Sequence, residues 1–267
     1  MAAEKREVKG LVIREAQTGE ADEILTLLTA EYGKITVSGK GVRSLRSKHA
    51  ASAQLFAYSS FLLHKPKQHY YIADSLFIEN FMGIRYDVEK LALATYLCDV
   101  AAEFALEDIA NPSLMQMTLN ALYAIASRED IPLARVKAAF EFRVICEEGF
   151  APELYGCGMC GCAMTETAYL DVMNGRVLCR SCQEQYVNSA AYAMDEATAK
   201  IHVRLTPAVL CAMRYIHSAP MKRLLSFQLE KSDADILSVA CERYLVNHLE
   251  HSFSSLEYYH ALQENRL

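Results

Sequence analysis

The sequence has no long apolar run. Hydrophobic residues make up 52% of its 267 positions, enough for a substantial core, yet they never approach the roughly 18 uninterrupted apolar residues that a membrane span needs. The first ten residues, MAAEKREVKG, also lack the apolar segment of a secretory signal. These absences predict a cytoplasmic protein that does not contact a membrane.

The common catalytic motifs are also missing. The sequence contains no Walker loop, no HExxH and no GxSxG, and the GKG at residues 39–41 is a fragment of a glycine-rich loop. The acidic cluster at residues 20–23 is more typical of a solvated turn than of a metal or acid–base site. No nucleophile stands beside a base, and the eight histidines show no ligand spacing. We therefore expect no catalytic residue and no enzymatic activity.

One long window contains no carboxylate. Residues 32–73 carry a charge of +7, whereas the other 225 residues together carry −13. A polyanion responds to the local field, because charges beyond the Debye length of about 8 Å are largely screened. A basic surface can also serve solubility alone, but a window of this length favours a face that binds DNA. Its candidate DNA-binding residues are Lys34, Lys40, Arg43, Arg46, Lys48, Lys65 and Lys67.

Aromatic residues are interleaved with these cations. Exposed rings beside a basic groove stack with the bases of single strands, at roughly 1 to 3 kcal/mol per base. About half of the rings must point inwards, because side chains alternate between the two faces of a strand. The candidate stacking residues are Tyr32, Phe56, Tyr58, Tyr70 and Tyr71.

The first eighty residues predict five strands. Three short β-rich segments come first, and two longer ones follow at residues 53–64 and 69–81, joined at Pro66. Residues 39–48, GKGVRSLRSK, predict a polar basic loop. Five strands at this spacing favour an OB-type β-barrel, which binds oligonucleotides on one face and its loops. An SH3-like barrel or a small sandwich would give a similar pattern.

Helical patterns begin after Asp87. This residue predicts an N-cap for a buried helix of about five turns, and further helices follow the breaks at Pro112 and Pro132. The predicted fold class is α+β, with an OB-fold DNA-binding domain at residues 1–82 and a helical domain at residues 83–267.

Five of the nine cysteines lie within residues 157–182, CGMCGCAMTETAYLDVMNGRVLCRSC. In a reducing compartment such a cluster indicates a metal site more than disulfides. Two Cys-x2-Cys pairs at this separation are typical of a zinc ribbon, and the Asn-Gly between them predicts a hairpin that joins the pairs. We predict one structural Zn²⁺ per chain in a ribbon at residues 153–188. Its predicted ligands are Cys157, Cys160, Cys179 and Cys182, with Cys162 as a bystander.

The cysteine cluster is also compatible with other roles. The thiols could be free, or Cys162 could replace Cys157 as a ligand, an arrangement that resembles redox-switched zinc chaperones. A catalytic zinc is disfavoured because four thiolates leave no open position for water. The remaining four cysteines are predicted to be inert core thiols: Cys98, Cys146, Cys211 and Cys241.

The order of these features resembles the RecO family of bacterial DNA repair proteins. In residues 8–44 the resemblance comprises a strand, a Gly-Glu-x-Asp turn, a second strand, a Tyr-Gly-Lys turn and a Gly-Lys-Gly loop. The paired Cys-x2-Cys motifs fit family members that carry zinc. The segment FSSLEYYHAL near the end of the chain is similar to the closing helix of the family.

This resemblance implies an N-terminal OB barrel, a helical body and a zinc-bearing excursion. It also implies binding of single- and double-stranded DNA, annealing of complementary strands, and help in loading RecA onto single strands coated by the single-stranded-DNA-binding protein. The implied partners are RecR and the acidic, apolar C-terminal tail of that coating protein, and the implied location is the nucleoid. Residues 204–231, with Arg214, Lys222 and Arg223, are the candidate tail site. A redox-switched zinc chaperone and an adaptor that never contacts DNA remain alternatives.

Overall fold

The computed structural model describes residues 4–66, 69–189 and 201–264. Its contacts form two compact units, one of Met1–Glu129 with Phe253–Leu267 and the other of Asp130–Ser252. A five-stranded barrel is followed by a helical region with a cysteine cluster, which confirms the predicted fold class. The predicted domain boundary at residue 82 stays a prediction. No described helix has the length and apolar character needed to cross a bilayer.

The first unit begins with a closed barrel. Its strands are β1 (Glu4–Thr18), β2 (Asp22–Thr29), β3 (Gly33–Gly39), β4 (Tyr58–Lys65) and β5 (Tyr70–Glu79). They pair in the order β1-β2-β3-β5-β4, with a parallel contact only between β3 and β5. A bulge between Val12 and Arg14 bends β1, so that its first part pairs with β4 and its second part with β2. Because β1 pairs with both β2 and β4, it closes the barrel.

One strand boundary differs from the prediction. Residues 53–57, predicted to begin a strand, form turns instead. Phe56 adopts the left-handed conformation with φ 65°, and its backbone N–H donates to the Val12 carbonyl over 2.8 Å. The ring of Phe56 is buried, so it cannot stack with a base, and this candidate stacking residue was wrong. The apolar residues of this segment pack into the core beside the β1 bulge and do not form a regular strand.

Three helices complete the first unit: α1 (Val88–Phe104), α2 (Pro112–Ser127) and the C-terminal helix, here α7 (Ser254–Glu264). The Asp87 side chain caps α1 as predicted, accepting from two backbone N–H groups. Arg14 of the barrel donates through Nε and Nη2 to one carboxylate oxygen of Asp99 in α1, and Ser255 of α7 donates to the other oxygen. Gly33 is required where the barrel approaches the segment that follows α1, because a Cβ there would lie 1.9 Å from the Leu106 carbonyl oxygen.

The second unit combines helices with a small sheet. Among the residues that the structure describes, its main elements are α3 (Leu133–Ile145), a π-helical turn (Cys146–Phe150), β6 (Ala168–Asp171), β7 (Arg176–Cys179), α4 (Arg180–Val187), β8 (His202–Leu205), α5 (Pro207–Ser218) and α6 (Lys231–Leu249). The three strands pair in the order β7-β6-β8. Thr206 caps α5 through the backbone N–H of Val209, and its hydroxyl also donates to Asp233 of α6.

A buried ion cluster joins α3 to α6. The amine of Lys137 lies 2.8 Å from a Glu141 carboxylate oxygen and 2.5 Å from one of Glu242. Burial lowers the pKa of Lys137, but the two carboxylates outweigh burial and leave the pKa above its ordinary value. Lys137 therefore stays charged inside the helical core.

Two of the four scattered cysteines are buried core thiols as predicted, and a third is partly buried. Cys98 and Cys241 are completely buried, and Cys146 is partly buried, so burial raises the pKa of each thiol. The prediction was wrong for Cys211, which is exposed on α5. Its apolar neighbours in sequence face the core, because successive residues of a helix point in different directions.

Candidate metal centre and nucleic-acid interface

The first cysteine pair lies in a tight loop that closes on itself. The backbone N–H of Cys157 donates to the Cys162 carbonyl over 2.9 Å, and that of Gly161 donates to the Cys157 carbonyl over 2.8 Å. Gly161 occupies the left-handed region with φ 71°, where a side chain would be strained. The loop therefore directs Cys157, Cys160 and Cys162 toward one point.

The second pair arrives on the predicted hairpin. Strands β6 and β7 are antiparallel, and the Asp171 carboxylate accepts hydrogen bonds from Asn174 and Arg176 across their turn. Cys179 ends β7, and Cys182 lies in the first turn of α4. The backbone N–H of Cys179 donates to the sulfur of Cys157 over 3.3 Å, which joins the second pair to the first.

Four sulfur atoms converge closely enough to bind one metal ion. The Sγ atoms of Cys157, Cys160, Cys162 and Cys179 all lie within 4.8 Å of one another, and those of Cys160 and Cys179 are 3.9 Å apart. A tetrahedral zinc with bonds of about 2.3 Å to sulfur requires neighbouring sulfurs about 3.8 Å apart. The donor set and its spacing therefore fit a thiolate-bound metal.

Hydrogen bonds favour the thiolate form at two of these positions. The Ser181 hydroxyl and the backbone N–H of Cys182 lower the pKa of Cys179 to about 6. Burial raises the pKa of Cys157, but backbone N–H groups reverse this effect and leave the pKa below its ordinary value. Conversely, hydrogen bonding to Cys160 raises the pKa of Cys162 to about 12, and hydrogen bonding to Cys179 raises that of Cys182. A site that stabilises thiolates is prepared for a cation.

The structure brings three of the four predicted ligands into one close group. Cys157, Cys160 and Cys179 belong to this group of sulfurs, whereas Cys182, buried in the first turn of α4, does not. Cys162, predicted to be a bystander, lies within the same close group. Which four thiols bind the ion stays a prediction.

The basic loop, residues 39–48, is held in a defined conformation. Val42 is buried in the barrel core, and the Asp22 carboxylate accepts the backbone N–H of Gly41 over 2.7 Å. The backbone N–H of Arg43 donates to the Ala21 carbonyl, and that of Ser44 donates to Gly41. These anchors leave the outer part of the loop exposed, with Arg46 at its surface. The acidic cluster at residues 20–23 is therefore used in part to hold the loop.

Two predicted DNA-binding residues lie beside a carboxylate from outside the carboxylate-free window. Lys48 pairs with Asp74 at 2.9 Å, and Arg43 lies 3.7 Å from Glu23. The hydrogen bond from Lys48 is the main cause that lowers the pKa of Asp74. Arg46 makes no ion pair with any described residue. The loop is therefore less positive than its sequence indicates.

Two other cations lie beside aromatic rings at one end of the barrel. The amine of Lys40 lies 5.2 Å from the centre of the Tyr71 ring, and that of Lys65 lies 4.7 Å from the centre of the Tyr70 ring. Tyr70 and Tyr71 form the short parallel contact between β5 and β3. Tyr71 is partly exposed, whereas Tyr70 is buried. Tyr71 therefore remains a candidate stacking platform, and Tyr70 does not.

The remaining two predicted cations are placed differently. Lys34 is at the start of β3, and its amine donates to the Ala102 carbonyl over 2.9 Å, near the C-terminal end of α1. A cation near a helix C-terminus donates to backbone carbonyl groups that have no partner within the helix. Its charge also interacts favourably with the helix dipole. Lys34 therefore has a structural role that the sequence did not indicate. Lys67 lies outside the described residues.

Sequence reasoning missed two features of this surface. Leu45 is fully exposed in the basic loop and lies between Arg43 and Arg46 in sequence. Arg6 of β1 places its guanidinium 4.4 Å from the centre of the Tyr32 ring and 5.3 Å from that of Tyr70. The sequence RSLR, in which a leucine lies among polar and basic residues, could have indicated that Leu45 is exposed. The position of Arg6 depends on strand pairing and has no local signal.

The segment predicted to receive an acidic peptide is partly structural. Arg214 donates to the Leu154 carbonyl and lies over the Tyr155 ring, so it supports the chain before the first cysteine. Lys222 and Arg223 are exposed. Nearby, the rings of Tyr215 and Phe227 lie 5.9 Å apart, and Arg135 of α3 lies over Phe227. The sequence indicated the cations of this segment but not the pair of rings beside them.

Most of the chain matches two models of one protein family. Residues 1–81 match the family model described as Recombination protein O N terminal, and residues 85–257 match the one described as Recombination protein O C terminal.

Several proteins named DNA repair protein RecO are similar to this chain over two thirds or more of their length. The one from Acetivibrio thermocellus is 33% identical over 253 residues, 95% of each chain. That from Alkaliphilus metalliredigens is 27% identical over 93% of this chain and 96% of its own. That from Dehalococcoides mccartyi is 32% identical over 67% of this chain and 70% of its own.

Proposed function

The chain belongs to the RecO family of DNA repair proteins, and from this premise we propose that it is a DNA-binding recombination mediator. It binds single- and double-stranded DNA, anneals complementary strands and assists the loading of RecA onto single strands coated by the single-stranded-DNA-binding protein. It acts at the nucleoid in the cytoplasm, with RecR and the tail of the coating protein as partners. No catalytic residue of its own is needed.

The anchored basic loop on an OB-type barrel carries this proposal. The loop forms the first part of the connection between β3 and β4, in a fold that binds oligonucleotides through its loops, and it exposes Lys40, Arg43, Arg46 and Lys48. Lys65 and Tyr71 extend the interface at the end of the barrel. The hydrogen bonds of the loop fix its backbone in advance, so less backbone conformational entropy is lost when phosphates bind.

Neutralisation of phosphates explains annealing without ATP. Cations that bind a strand release its condensed counterions and reduce the repulsion between two backbones brought close together. Base pairing then drives the strands together. Leu45, fully exposed between two arginines, is placed to contact unstacked bases, as apolar side chains of other DNA-binding proteins do.

The cysteine centre supports the fold of the second unit. The proposed ion is Zn²⁺, bound by four thiolates and without an open position for substrate. It would link the loop of Cys157 to the hairpin of Cys179, which are both too short to bury a core of their own. A structural zinc supplies this missing stabilisation when bound.

The proposed site for the coating-protein tail is the aromatic pair Tyr215 and Phe227 with its neighbouring cations. An acidic, apolar peptide needs a hydrophobic surface beside positive charge. Arg135 lies over Phe227, and Lys222 and Arg223 are exposed nearby in sequence. Undiminished binding of a tail peptide to Lys222→Ala/Arg223→Ala together with Phe227→Ala would contradict this placement.

Salt-dependent DNA binding tests the main proposal. Arg43→Ala/Arg46→Ala/Lys48→Ala should weaken the binding of a fluorescent oligonucleotide and reduce the slope of log affinity against log salt by about 2, because up to three phosphate contacts are lost. Annealing of complementary oligonucleotides should slow in parallel. A matched control replaces three exposed cations of the second unit, Arg180, Lys222 and Arg223, by alanine. Equal effects of the two triple variants, or none, would disprove the assigned face.

A further inference from the structure

Three residues form one row across the outer wall of the barrel. Lys5 of β1 lies opposite His64 of β4, and His64 lies opposite Tyr71 of β5. Side chains directly opposite each other on paired strands point to the same face of a sheet. The sequence neighbours Leu63 and Tyr70 are buried in the core, so the row points outwards. Lys5 is exposed and the two rings are partly exposed, so all three side chains reach solvent side by side.

The two rings of this row are in contact, and a cation lies on each side of them. The ring centroids of His64 and Tyr71 are 5.4 Å apart, with an angle of 31° between the ring planes. The amine of Lys40, from the basic loop after β3, lies 5.2 Å from the centre of the Tyr71 ring. Lys5 follows on the other side, next to His64. The order along the wall is therefore cation, ring, ring, cation.

His64 has no contact that would mark it as a structural residue. Its Nδ1 atom has no hydrogen-bond partner among the residues that the structure describes. The ring also lies outside the apolar core of the barrel, which Phe61 and Leu63 enter from the same strand. The exposed part of the ring is therefore available to a ligand that recognises an aromatic surface.

The neighbouring charges favour a ligand that runs along this row and crosses the strands. In the next row along the same strands, Glu7 and Asp74 flank Leu62 on the outer face. Asp74 is paired with Lys48, whereas Glu7 is exposed. A polyanion that followed the strands would approach these carboxylates, but one that crosses the strands would meet the cations at the two ends of the row.

We propose that this row binds single-stranded DNA, with a base stacked on the rings of His64 and Tyr71 and with phosphates bound by Lys5 and Lys40. The proposal rests on the proposed DNA-binding function and adds Lys5 and His64 to its interface. Adjacent strands lie about 4.8 Å apart, so the row extends over about 10 Å from Lys5 to Tyr71. It therefore covers part of the roughly 4 to 16 nucleotides that one OB fold binds.

This row discriminates single strands from duplexes. The bases of a single strand can present a π-face to an aromatic side chain, whereas those of a duplex are stacked on one another. The basic loop contacts phosphates, which both forms carry. Loss of a ring from the row should therefore affect single strands alone, whereas loss of cations from the loop should affect both forms.

Titrations with two DNA probes test this assignment. The probes are a fluorescent oligothymidine and the duplex of that strand with its complement. His64→Ala should weaken binding of the single strand about fivefold or more and leave the affinity for the duplex unchanged. Lys5→Ala should reduce the slope of log affinity against log salt for the single strand by up to about 0.7. The matched control is Lys9→Ala, because Lys9 is exposed on the same face of β1 but lies opposite Ser60, two rows away.

His64→Phe keeps a ring at this position and should bind the single strand as the unchanged protein does. It separates stacking from any general effect of substitution, and circular dichroism checks that each variant folds. A single strand that carries photoreactive 5-iodouracil should, after irradiation, cross-link to the peptide of His64 or to that of Tyr71. Cross-links confined to other peptides would contradict the proposed path.

Two results would overturn the row while the proposed function stands. One is single-strand binding by His64→Ala and Lys5→Ala equal to that of the unchanged protein, while Arg43→Ala/Arg46→Ala/Lys48→Ala binds more weakly. The other is a loss in His64→Ala that is the same for both probes, or that His64→Phe shares. If the unchanged protein binds neither probe, the proposed function itself is wrong and the row is disproved with it.

Discussion

The backbone N–H of Cys179 donates to the sulfur of Cys157 across 22 residues of sequence, over 3.3 Å. This bond requires the β6–β7 hairpin to be formed, because only the hairpin carries Cys179 back to the first loop. It also favours the Cys157 thiolate over the thiol. The close group of sulfurs therefore depends on the fold of the hairpin.

Removal of the metal should unfold the ribbon and leave the barrel intact. Metal binding to such a site contributes directly to folding free energy. After chelation, hydrogen exchange of the amides in residues 153–188 should accelerate, while that of β1 to β5 should not. DNA binding should be retained. Unchanged exchange in the ribbon would contradict a structural role for the ion.

Asp74→Asn should strengthen DNA binding. Asp74 holds the amine of Lys48 at 2.9 Å, and its removal frees one cation for a phosphate. The slope of log affinity against log salt should steepen by up to about 0.7 for a single strand. Asp235→Asn, an exposed change of the same charge in the second unit, is the control. Equal affinity of the two variants would show that Lys48 does not contact DNA.

Leu45→Ala should weaken DNA binding without changing its salt dependence. The side chain is fully exposed and uncharged, so its loss removes apolar contact with bases but no phosphate contact. We expect a loss of about 1 kcal/mol, roughly fivefold in affinity. Leu106→Ala, another exposed leucine in the first unit, should bind as the unchanged protein does. Anisotropy titrations at several salt concentrations measure both quantities.

Lys34→Ala should lower stability more than DNA affinity. The variant leaves the Ala102 carbonyl, at the end of α1, without its amine donor. A net loss of about 1 kcal/mol in the free energy of unfolding is expected for one such hydrogen bond. Lys40→Ala, which removes a cation without a structural hydrogen bond to a described residue, should do the reverse. Urea denaturation and DNA titration of both variants decide between the two roles.

Lys137→Met should be strongly destabilising. It leaves the carboxylate of Glu141 buried without its cation, a change that costs about 3 to 5 kcal/mol in comparable clusters. Lys137→Met/Glu141→Leu should recover part of this loss, because the buried charge is removed as well. Arg180→Ala, which breaks an exposed pair with Glu184, should leave the urea midpoint nearly unchanged. A double variant less stable than Lys137→Met would contradict this account.

The sequence by itself determined the features that are encoded locally. Alternating β-rich segments specify the barrel strands, the Asp87 cap starts α1, and the Asn-Gly turn between two Cys-x2-Cys pairs specifies the hairpin. Each of these patterns is contained within a few neighbouring residues, where backbone preferences and turn chemistry act.

Only the tertiary structure decided what each candidate side chain contacts. It placed Asp74 beside Lys48 and Glu23 beside Arg43, and it set the Lys34 amine against a carbonyl group at the end of α1. It also buried Phe56 and brought Cys162 into the close group of sulfurs. These contacts depend on strand register, on a bulge in β1 and on the packing of residues far apart in the chain. No local window of sequence contains both partners together with the geometry that joins them.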